Sequence, residues 1–225
     1  MLLTDGQIRE AMAQKTLHIE NFSEESLQPA SYDMRLGEEA ITSSQREKIN
    51  PAQKGLLTIP SGDFALVCTH EGIKLSARVA GHIGLRSHYA RKGLVLLSGP
   101  QIDPGFEGVL VLGLNNVSPS DVVIPYKERF CTVEFHQLHE DARDPYRGEY
   151  QRQTGISGRD LEVLAEAQGM TFGQVIKALN ALTVDVRSLA DSVKNLRTTV
   201  ALSIGAIGAV MAIGLAVMGA LTAID

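Results

Sequence analysis

The sequence predicts a mainly β domain, a distorted barrel or jelly roll, followed by a long coiled-coil helix that is continuous with one transmembrane helix. Short apolar runs between turn residues predict the β domain, a heptad repeat predicts the coiled coil, and an uncharged stretch predicts the membrane segment. The expected boundaries are 1–159 for the β domain, 160–170 for a short helix and linker, 171–197 for the coiled coil and 198–224 for the transmembrane helix.

Six apolar runs of strand length recur in the first part of the chain, separated by Gly, Pro, Asp and Ser residues. This spacing is typical of a compact all-β barrel or jelly-roll domain. Before the runs, a capping box of Thr4 and Gln7 predicts a short amphipathic helix over 5–14. The runs are FALVC (64–68), VAGHIGL (79–85), LVLLS (94–98), GVLVLGL (108–114), VVIPY (122–126) and FCTVEF (130–135). After them, residues 139–159 are almost free of aliphatic side chains and form either a linker or a flap over a site.

The cysteines and histidines lack the spacing of a metal motif. Cys68 and Cys131 lie inside apolar runs, which favours buried reduced thiols over a disulfide. His136 and His139 are three residues apart, but no cysteine or carboxylate cluster accompanies them, so we expect no metal held by the protein. A magnesium ion escorted by ligand phosphates would need no such cage.

From Thr171 the hydrophobic period changes from two to three and a half. Apolar residues then alternate in steps of three and four over four heptads. This favours a coiled coil between copies over a single helix packed on its own domain, and the side-chain shapes lean weakly toward two strands. The apolar positions are Phe172, Val175, Leu179, Leu182, Val186, Leu189, Val193, Leu196 and Val200.

The stretch from Thr198 to Ile224 contains 27 consecutive residues without a charge. A helix of that length rises about 40 Å, against roughly 30 Å of hydrocarbon in a bilayer. Lys194 and Arg197 precede the stretch and only Asp225 follows it, which by the positive-inside rule places the N-terminal domain in the cytoplasm. The first residues are polar within four positions, so we expect no signal peptide and a single-pass C-terminal anchor.

The charge balance excludes generic capture of long nucleic acid. Residues 1–159 carry 17 basic and 20 acidic side chains, a net charge of −3. Such a domain does not attract a long polyanion. A nucleotide or short oligonucleotide held in one local basic pocket remains compatible with this balance.

Four separated motifs carry a family resemblance. They are QPASYDMRLG (28–37), RSHYARKGL (86–94), QIDPGFEG (101–108) and PYRGEYQRQTG (145–155). In order and spacing they resemble the deoxycytidine triphosphate deaminase and dUTPase superfamily. The resemblance implies a distorted β barrel, assembly as a homo-oligomer with a trimer favoured, and nucleotide sites at the subunit interfaces.

The resemblance also implies which residues bind the ligand. Arg86, Ser87 and Arg91 lie in an Arg-Ser-x-x-x-Arg turn, where guanidinium groups and a hydroxyl can hold phosphate oxygens. His88 stands in the same turn, at the position of the family's second serine.

Four further residues match the part of the family site that holds the sugar and base. Asp103 resembles the aspartate that reads the deoxyribose hydroxyl and, in dUTPases, helps to activate water. Phe106 occupies the place of an aromatic residue that packs under the sugar. Tyr146 and Gln153 match the family's C-terminal arm.

Two departures from the family pattern bear on catalysis. In the deaminases a glutamate follows the motif aspartate by ten residues and acts as the general base, and here that position is Gly113. Glu149 replaces an arm lysine that contacts the triphosphate, and its charge would oppose a triphosphate nearby.

Two function classes therefore remain, beside a scaffold that merely oligomerises. We favour a nucleotide- or oligonucleotide-responsive membrane effector, in which a catalytically impaired sensor controls a bundle of transmembrane helices by opening a pore or disrupting the membrane. Antiviral defence is a natural role for this architecture by analogy. The alternative is a membrane-anchored, dUTPase-like or dCTP deaminase-like nucleotide hydrolase that uses Asp103.

Overall fold

A computed structural model describes residues 1–160 and 172–222 of the chain. Contacts divide the chain into two units, Met1–Gln174 and Val175–Asp225. The first unit is built on antiparallel β strands, and the second consists of one helix. Apart from Asp160, the predicted short helix and linker over 160–170 lie outside the described residues.

Eleven strands and three short α helices are described in the first unit, with a 3₁₀ turn at Glu24–Ser26. The helices are α1 (Asp5–Ala13), α2 (Pro51–Lys54) and α3 (Ser87–Arg91). The strands are β1 (Leu17–Ile19), β2 (Leu27–Gln28), β3 (Ser31–Thr42), β4 (Leu56–Ile59), β5 (Phe64–Leu75), β6 (Val79–Leu85), β7 (Leu94–Leu96), β8 (Gln101–Ile102), β9 (Glu107–Asn116), β10 (Val122–Pro125) and β11 (Arg129–Gln137).

Nine of these strands form one sheet, in the order β7-β9-β5-β3-β11-β6-β8, with β1 paired to β5 and β2 to β3. Strands β10 and β4 form a separate pair. All strand pairs are antiparallel, and register shifts interrupt the long central strands β3 and β5. The sheet is a half-barrel whose core buries most of the apolar residues of the predicted runs, although Val95, Leu97 and Val123 are exposed, and this confirms the mainly β fold.

Local sequence explains the first helix. Thr4 and Gln7 form the predicted capping box, in which the Thr4 amide donates to Gln7 Oε1 at 3.0 Å. The buried residues Ile8 and Ala11 fix the helix to the half-barrel. Each of the six apolar runs contains a strand, although the third run is strand only as far as Leu96. Cys68 and Cys131 are buried free thiols, as predicted.

Strand β3 lies at the centre of the sheet, although its sequence contains charged residues that predict no strand. Asp33 and Glu71 are both buried, and each forms an ion pair with an arginine from another part of the chain. Arg35 Nε contacts Glu71 Oε1 at 2.5 Å, and Arg86 Nε contacts Asp33 Oδ2 at 2.9 Å. Paired in this way, the carboxylates can be buried without an uncompensated charge.

The second unit is the helix α4 (Phe172–Thr222), which at 51 residues rises about 75 Å. By length and composition, a stretch of 18 residues within its segment Ala178–Gly214 is apolar enough to cross a membrane, with a mean hydropathy of 1.7. Hydroxyl groups at the start of the uncharged stretch donate to carbonyl oxygens four residues earlier. Thr198, Thr199 and Ser203 make these bonds at 2.9 to 3.0 Å.

Candidate functional site

A cavity of about 570 Å³ opens beside Asp103, where strand β8 ends. Its wall combines apolar side chains with a few polar groups, which is the usual character of a small-molecule site. Among the described residues that line it, none is basic. The lining residues used below are Phe64, Ser98, Gln101, Asp103, Phe106, Gly113, Tyr146, Tyr150 and Gln153.

Asp103 is held in a defined orientation at the mouth of this cavity. The Gln101 side chain donates to Asp103 Oδ1 at 2.7 Å, and the amide of Phe106 donates to the Asp103 carbonyl at 3.2 Å, which closes the turn. Gly105 has a φ of +87°, and a Cβ there would lie 2.6 Å from Pro145. The tight turn therefore presents the carboxylate on a rigid element while the polar arm packs against its outside.

The polar arm, residues 139–159, packs over the cavity as a flap rather than running free as a linker. The Tyr146 amide donates to the Pro104 carbonyl at 2.8 Å, and its ring lies 5.8 Å from that of Phe106. Further along, Gln151 accepts from the Glu107 amide at 3.1 Å and donates to the Gly105 carbonyl at 2.9 Å. The arm thus supplies one wall of the cavity.

Gln153 fixes the arm to strand β9. The amide of Val109 donates to the Gln153 carbonyl at 3.0 Å, and the Gln153 side chain donates to the Val109 carbonyl at 2.8 Å. Gly108 makes this pairing possible, because its φ is +144° and a Cβ there would lie 2.8 Å from the Gln153 carbonyl oxygen. Gln153, one of the residues predicted to bind the ligand, lies in the cavity lining, and its side-chain amide nitrogen is engaged by the main chain of Val109.

Gly113 lies on β9 and faces the same cavity, at the position where the family resemblance implies a catalytic glutamate. A Cβ at Gly113 would lie 3.1 Å from Cε2 and 3.2 Å from Cζ of Phe64. The phenyl ring therefore crowds the place that a side chain at position 113 would need. The Gly113 amide donates to Ser98 Oγ at 3.2 Å.

The predicted phosphate-binding turn lines a different and smaller cavity of about 300 Å³. Arg86, Ser87 and His88 lie at its wall together with Asp33 and Thr132. Arg91, at the end of α3, is exposed and is not among the lining residues. The structure thus brings three of the four predicted residues together.

Arg86 is anchored before any ligand binds. Its Nε contacts Asp33 at 2.9 Å, its Nη1 donates to the Arg129 carbonyl at 3.1 Å, and Glu128 lies 3.9 Å away. Burial raises the pKa of Asp33, and the positive charge of Arg86 opposes that rise. The side chain of Arg86 remains 30% exposed, so that part of its guanidinium faces the cavity.

Glu149 does not stand as an unpaired negative charge. Its carboxylate forms an ion pair with Arg159, which offsets the repulsion that the sequence predicts for a nearby phosphate group. Glu149 is not among the described residues that line the Asp103 cavity, although its neighbour Tyr150 is.

Two residues that support the site were not predicted from the sequence. Gln101 lies two positions before Asp103 in one extended segment, so the strand period could have placed both side chains on one face. Asp33 lies within the motif QPASYDMRLG (28–37), but its partner Arg86 is 53 positions away and no local signal connects them.

A third cavity, also of about 570 Å³, lies between β1, β5 and the arm. Its described lining contains four glutamates against one lysine, one arginine and two histidines, and both Lys74 and Arg152 pair with Glu107, at 3.0 and 4.0 Å. This balance disfavours a phosphate ligand. Within the described residues, no group of three His, Cys, Asp or Glu side chains is arranged to hold a metal ion.

Comparison with known proteins agrees with the family resemblance of the four sequence motifs. Residues 2–138 match the family model described as dCTP deaminase-like. The chain is similar to a protein named dCTP deaminase from Thermococcus sibiricus, with 44% identity over 151 residues, 67% of this chain and 92% of the relative. It is also similar to the dUMP-forming dCTP deaminase of Persephonella marina, with 31% identity over 172 residues, 70% of this chain and 95% of the relative.

Among solved structures, the 2'-deoxycytidine 5'-triphosphate deaminase of Agrobacterium tumefaciens resembles the first unit with a TM-score of 0.52 and 22% identity. The match covers 61% of this chain and spans about half, 48%, of that structure. At this identity the likeness establishes the shared fold.

Proposed function

The chain belongs to the dCTP deaminase-like family, and on that premise we propose that its β domain is a nucleotide enzyme that binds a pyrimidine deoxyribonucleoside triphosphate, held at a membrane by α4. The observation that carries this proposal is the orientation of Asp103 by Gln101 at the wall of a cavity of about 570 Å³. The relatives named dCTP deaminase, which match over nearly their whole length, support the same class of substrate.

The Asp103 cavity suits the base and the sugar of such a ligand. Asp103 offers a carboxylate to a deoxyribose hydroxyl, and Phe106 offers a ring face beneath the sugar. The apolar wall accepts a pyrimidine ring, whose polar edge can pair with the main chain of β9. The described lining of this cavity contains two acidic residues and no basic one. This charge disfavours binding of the triphosphate here.

The triphosphate needs basic groups, and Arg86, Ser87 and Arg91 are the proposed source. The Arg86 cavity and the Asp103 cavity share no described lining residue. We assign the two halves to different copies, so that Arg86 of one copy holds the phosphates of a nucleotide whose base lies in the Asp103 cavity of the next. A homo-oligomer, with a trimer favoured by the family, is then required for activity. A magnesium ion would accompany the phosphates.

The reaction that the side chains favour is hydrolysis at the triphosphate. Water would attack the α-phosphorus, Asp103 would take the proton of that water, and pyrophosphate would leave with the electrons of the broken anhydride bond. Removal of the amino group from cytosine needs a proton acceptor beside the base. Position 113 is glycine and Phe64 fills the space next to it, which favours the first reaction.

A second candidate is a nucleotide-responsive membrane effector. It is favoured by Gly113, which supplies no carboxylate, together with a helix that runs without a break from Phe172 to Thr222. Ligand binding would then shift the oligomer between two arrangements, and α4 would transmit that shift to the membrane as an opened or closed pore. Such a shift is limited by the ligand's differential affinity for the two states.

The test is a product analysis on the purified full chain in detergent with dCTP or dUTP and Mg²⁺. We expect dUMP from dUTP, with activity lost in Asp103→Asn and retained in Asp144→Asn, a matched change at an exposed aspartate of the arm. Ammonia release from dCTP would instead identify a deaminase. Tight nucleotide binding without turnover, together with ligand-dependent leakage from vesicles that carry the protein, would favour the effector.

A further inference from the structure

One face of α4 carries a continuous row of large apolar side chains that are exposed. Val175 is 38% exposed and Leu189 is 64% exposed. These residues follow steps of three and four, so they form a single seam along a helix that is slightly underwound. The seam residues described in the structure are Val175, Leu179, Leu182, Val186, Leu189, Val193, Leu196 and Val200.

A partner that covers this seam must be a second helix that runs alongside α4 over its whole length. The same helix contains the candidate membrane span, with no break between the two parts. Copies anchored in one bilayer with the same orientation have parallel helices, and identical sequences then align the seam residues at equal depth. Another copy of this chain therefore meets each seam residue with the same apolar residue.

The charged residues beside the seam are compatible with the pairing of two identical parallel helices. In heptad terms the seam fills positions a and d, and the flanking positions e and g decide whether identical parallel helices repel each other. Asp185 at g would face Ala190 at e of the neighbouring copy, and Ser192 at g would face Arg197 at e. No like charges meet in these pairs. Asp191 and Lys194 lie at positions f and b, away from the seam.

We propose that the seam Val175–Val200 is a parallel, in-register coiled-coil interface between copies of this chain, adding a second oligomer contact to any made by the β domains. This interface is independent of nucleotide binding, so the proposal stands or falls separately from the proposed activity. In a parallel coil the Cα atoms of equivalent d residues approach closely enough for a disulfide.

Single added cysteines test the interface in the full chain, in native membranes or vesicles. Leu189→Cys lies in the seam, and Val184→Cys is its control, since Val184 is also 64% exposed but occupies position f. The native Cys68 and Cys131 are buried and do not compete. With a mild oxidant we expect covalent dimers at Leu189→Cys at about tenfold or more the yield at Val184→Cys.

Leu182→Cys, one heptad earlier, repeats the test in case a single variant misfolds. Equal yields at positions 184 and 189, or no dimer at either seam position in protein that circular dichroism shows to be folded, would overturn the proposal. A helix that packs on its own domain gives this second result. Nucleotide binding measured on the same samples shows whether the β domain is intact, and its loss in the unmodified chain would count against the proposed function alone.

Discussion

The side-chain amide of Gln101 donates a hydrogen bond of 2.7 Å to Oδ1 of Asp103. This bond engages Oδ1 and restricts the rotation of the carboxylate. Both residues are exposed, so the bond does not serve to satisfy a buried group. Its consequence is positional: the oxygen that would accept a proton from water or a sugar hydroxyl is already oriented.

The first prediction concerns that orientation. Gln101→Leu keeps the side-chain size but cannot donate, so we expect the turnover number to fall roughly 10- to 100-fold, because small displacements of a catalytic group are costly. KM should change by less than about threefold if Gln101 acts only through Asp103. Steady-state kinetics measures both, with Gln53→Leu, an exposed glutamine on α2, as the control. An unchanged turnover number would show that Asp103 needs no orienting partner.

A second prediction follows from the pair of Asp33 and Arg86. In Asp33→Asn the arginine loses its charged anchor, and we expect the Kd for a triphosphate to rise about tenfold, which corresponds to about 1.4 kcal/mol. Binding of the unphosphorylated nucleoside should not change. Calorimetric titration with both ligands gives this comparison. Asp63→Asn is the matched control, because Asp63 is also buried and accepts a hydrogen bond from Ser44. If Asp33→Asn weakens nucleoside binding equally, the residue is merely structural.

The contact between Phe64 and position 113 gives a third prediction. Gly113→Glu should lower the free energy of unfolding by about 1–3 kcal/mol, since the added side chain collides with the phenyl ring. Phe64→Ala in the same chain removes the collision. We therefore expect a coupling free energy of about 1 kcal/mol or more between the two changes in urea unfolding. Strictly additive effects would mean that the ring does not occupy this space.

A fourth prediction concerns the attachment of the arm at Gly108. Gly108→Ala combines an unfavourable φ with a clash against Gln153, so we expect the arm to detach at a cost of about 1–3 kcal/mol. Trypsin should then cleave faster after Arg147 and Arg152, and nucleotide binding should weaken. Gly158→Ala is the control in the same arm, because a Cβ there meets nothing within 4 Å. Equal cleavage of the two variants would contradict this role of Gly108.

The buried thiols give a prediction about pH. Burial raises the pKa of Cys68 from 9.0 to about 12, and burial also raises that of Cys131. The unfolded chain therefore releases these protons near pH 9 while the folded chain keeps them, so stability falls as pH rises above 9. Burial also raises the pKa of Tyr89 to about 12, so this residue makes stability fall further as pH rises above 10.

Urea unfolding at pH 8, 9 and 10 measures this trend, and Cys68→Ala should flatten part of it. At pH 8 we also expect no reaction of the folded protein with a thiol reagent, and reaction of both cysteines after unfolding. Rapid labelling of the folded protein would show that the thiols are accessible.

The sequence predicted the elements whose signals are local. The capping box at Thr4 defined α1, and apolar runs located strands such as β6, whose predicted and observed bounds agree. Strand β3 was missed because its charged residues are neutralised by partners far along the chain, among them Glu71, 36 positions after Arg35. Periodicity cannot reveal such pairs.

In the candidate site, too, the sequence predicted what local motifs carry and missed what depends on distant contacts. Asp103, Phe106, Tyr146 and Gln153 come together in one cavity, as the motifs predict. The arm was left open between linker and flap, because its main-chain pairing to Gly108 depends on a left-handed backbone that composition alone does not show. The pairing of Glu149 with Arg159 was also missed, because the two residues are ten positions apart in a polar segment without periodicity.

The hydroxyl bonds within α4 bear on how the helix enters a bilayer. Thr198, Thr199 and Ser203 each use a carbonyl oxygen one turn earlier in their own helix. A hydroxyl that is bonded in this way keeps its hydrogen bond when the helix moves from water into hydrocarbon. Its transfer therefore needs no hydrogen-bond partner on another helix. On the membrane location and the coiled coil proposed above, insertion of a single chain would precede assembly, and copies would then meet by a search in two dimensions among helices that already share one orientation.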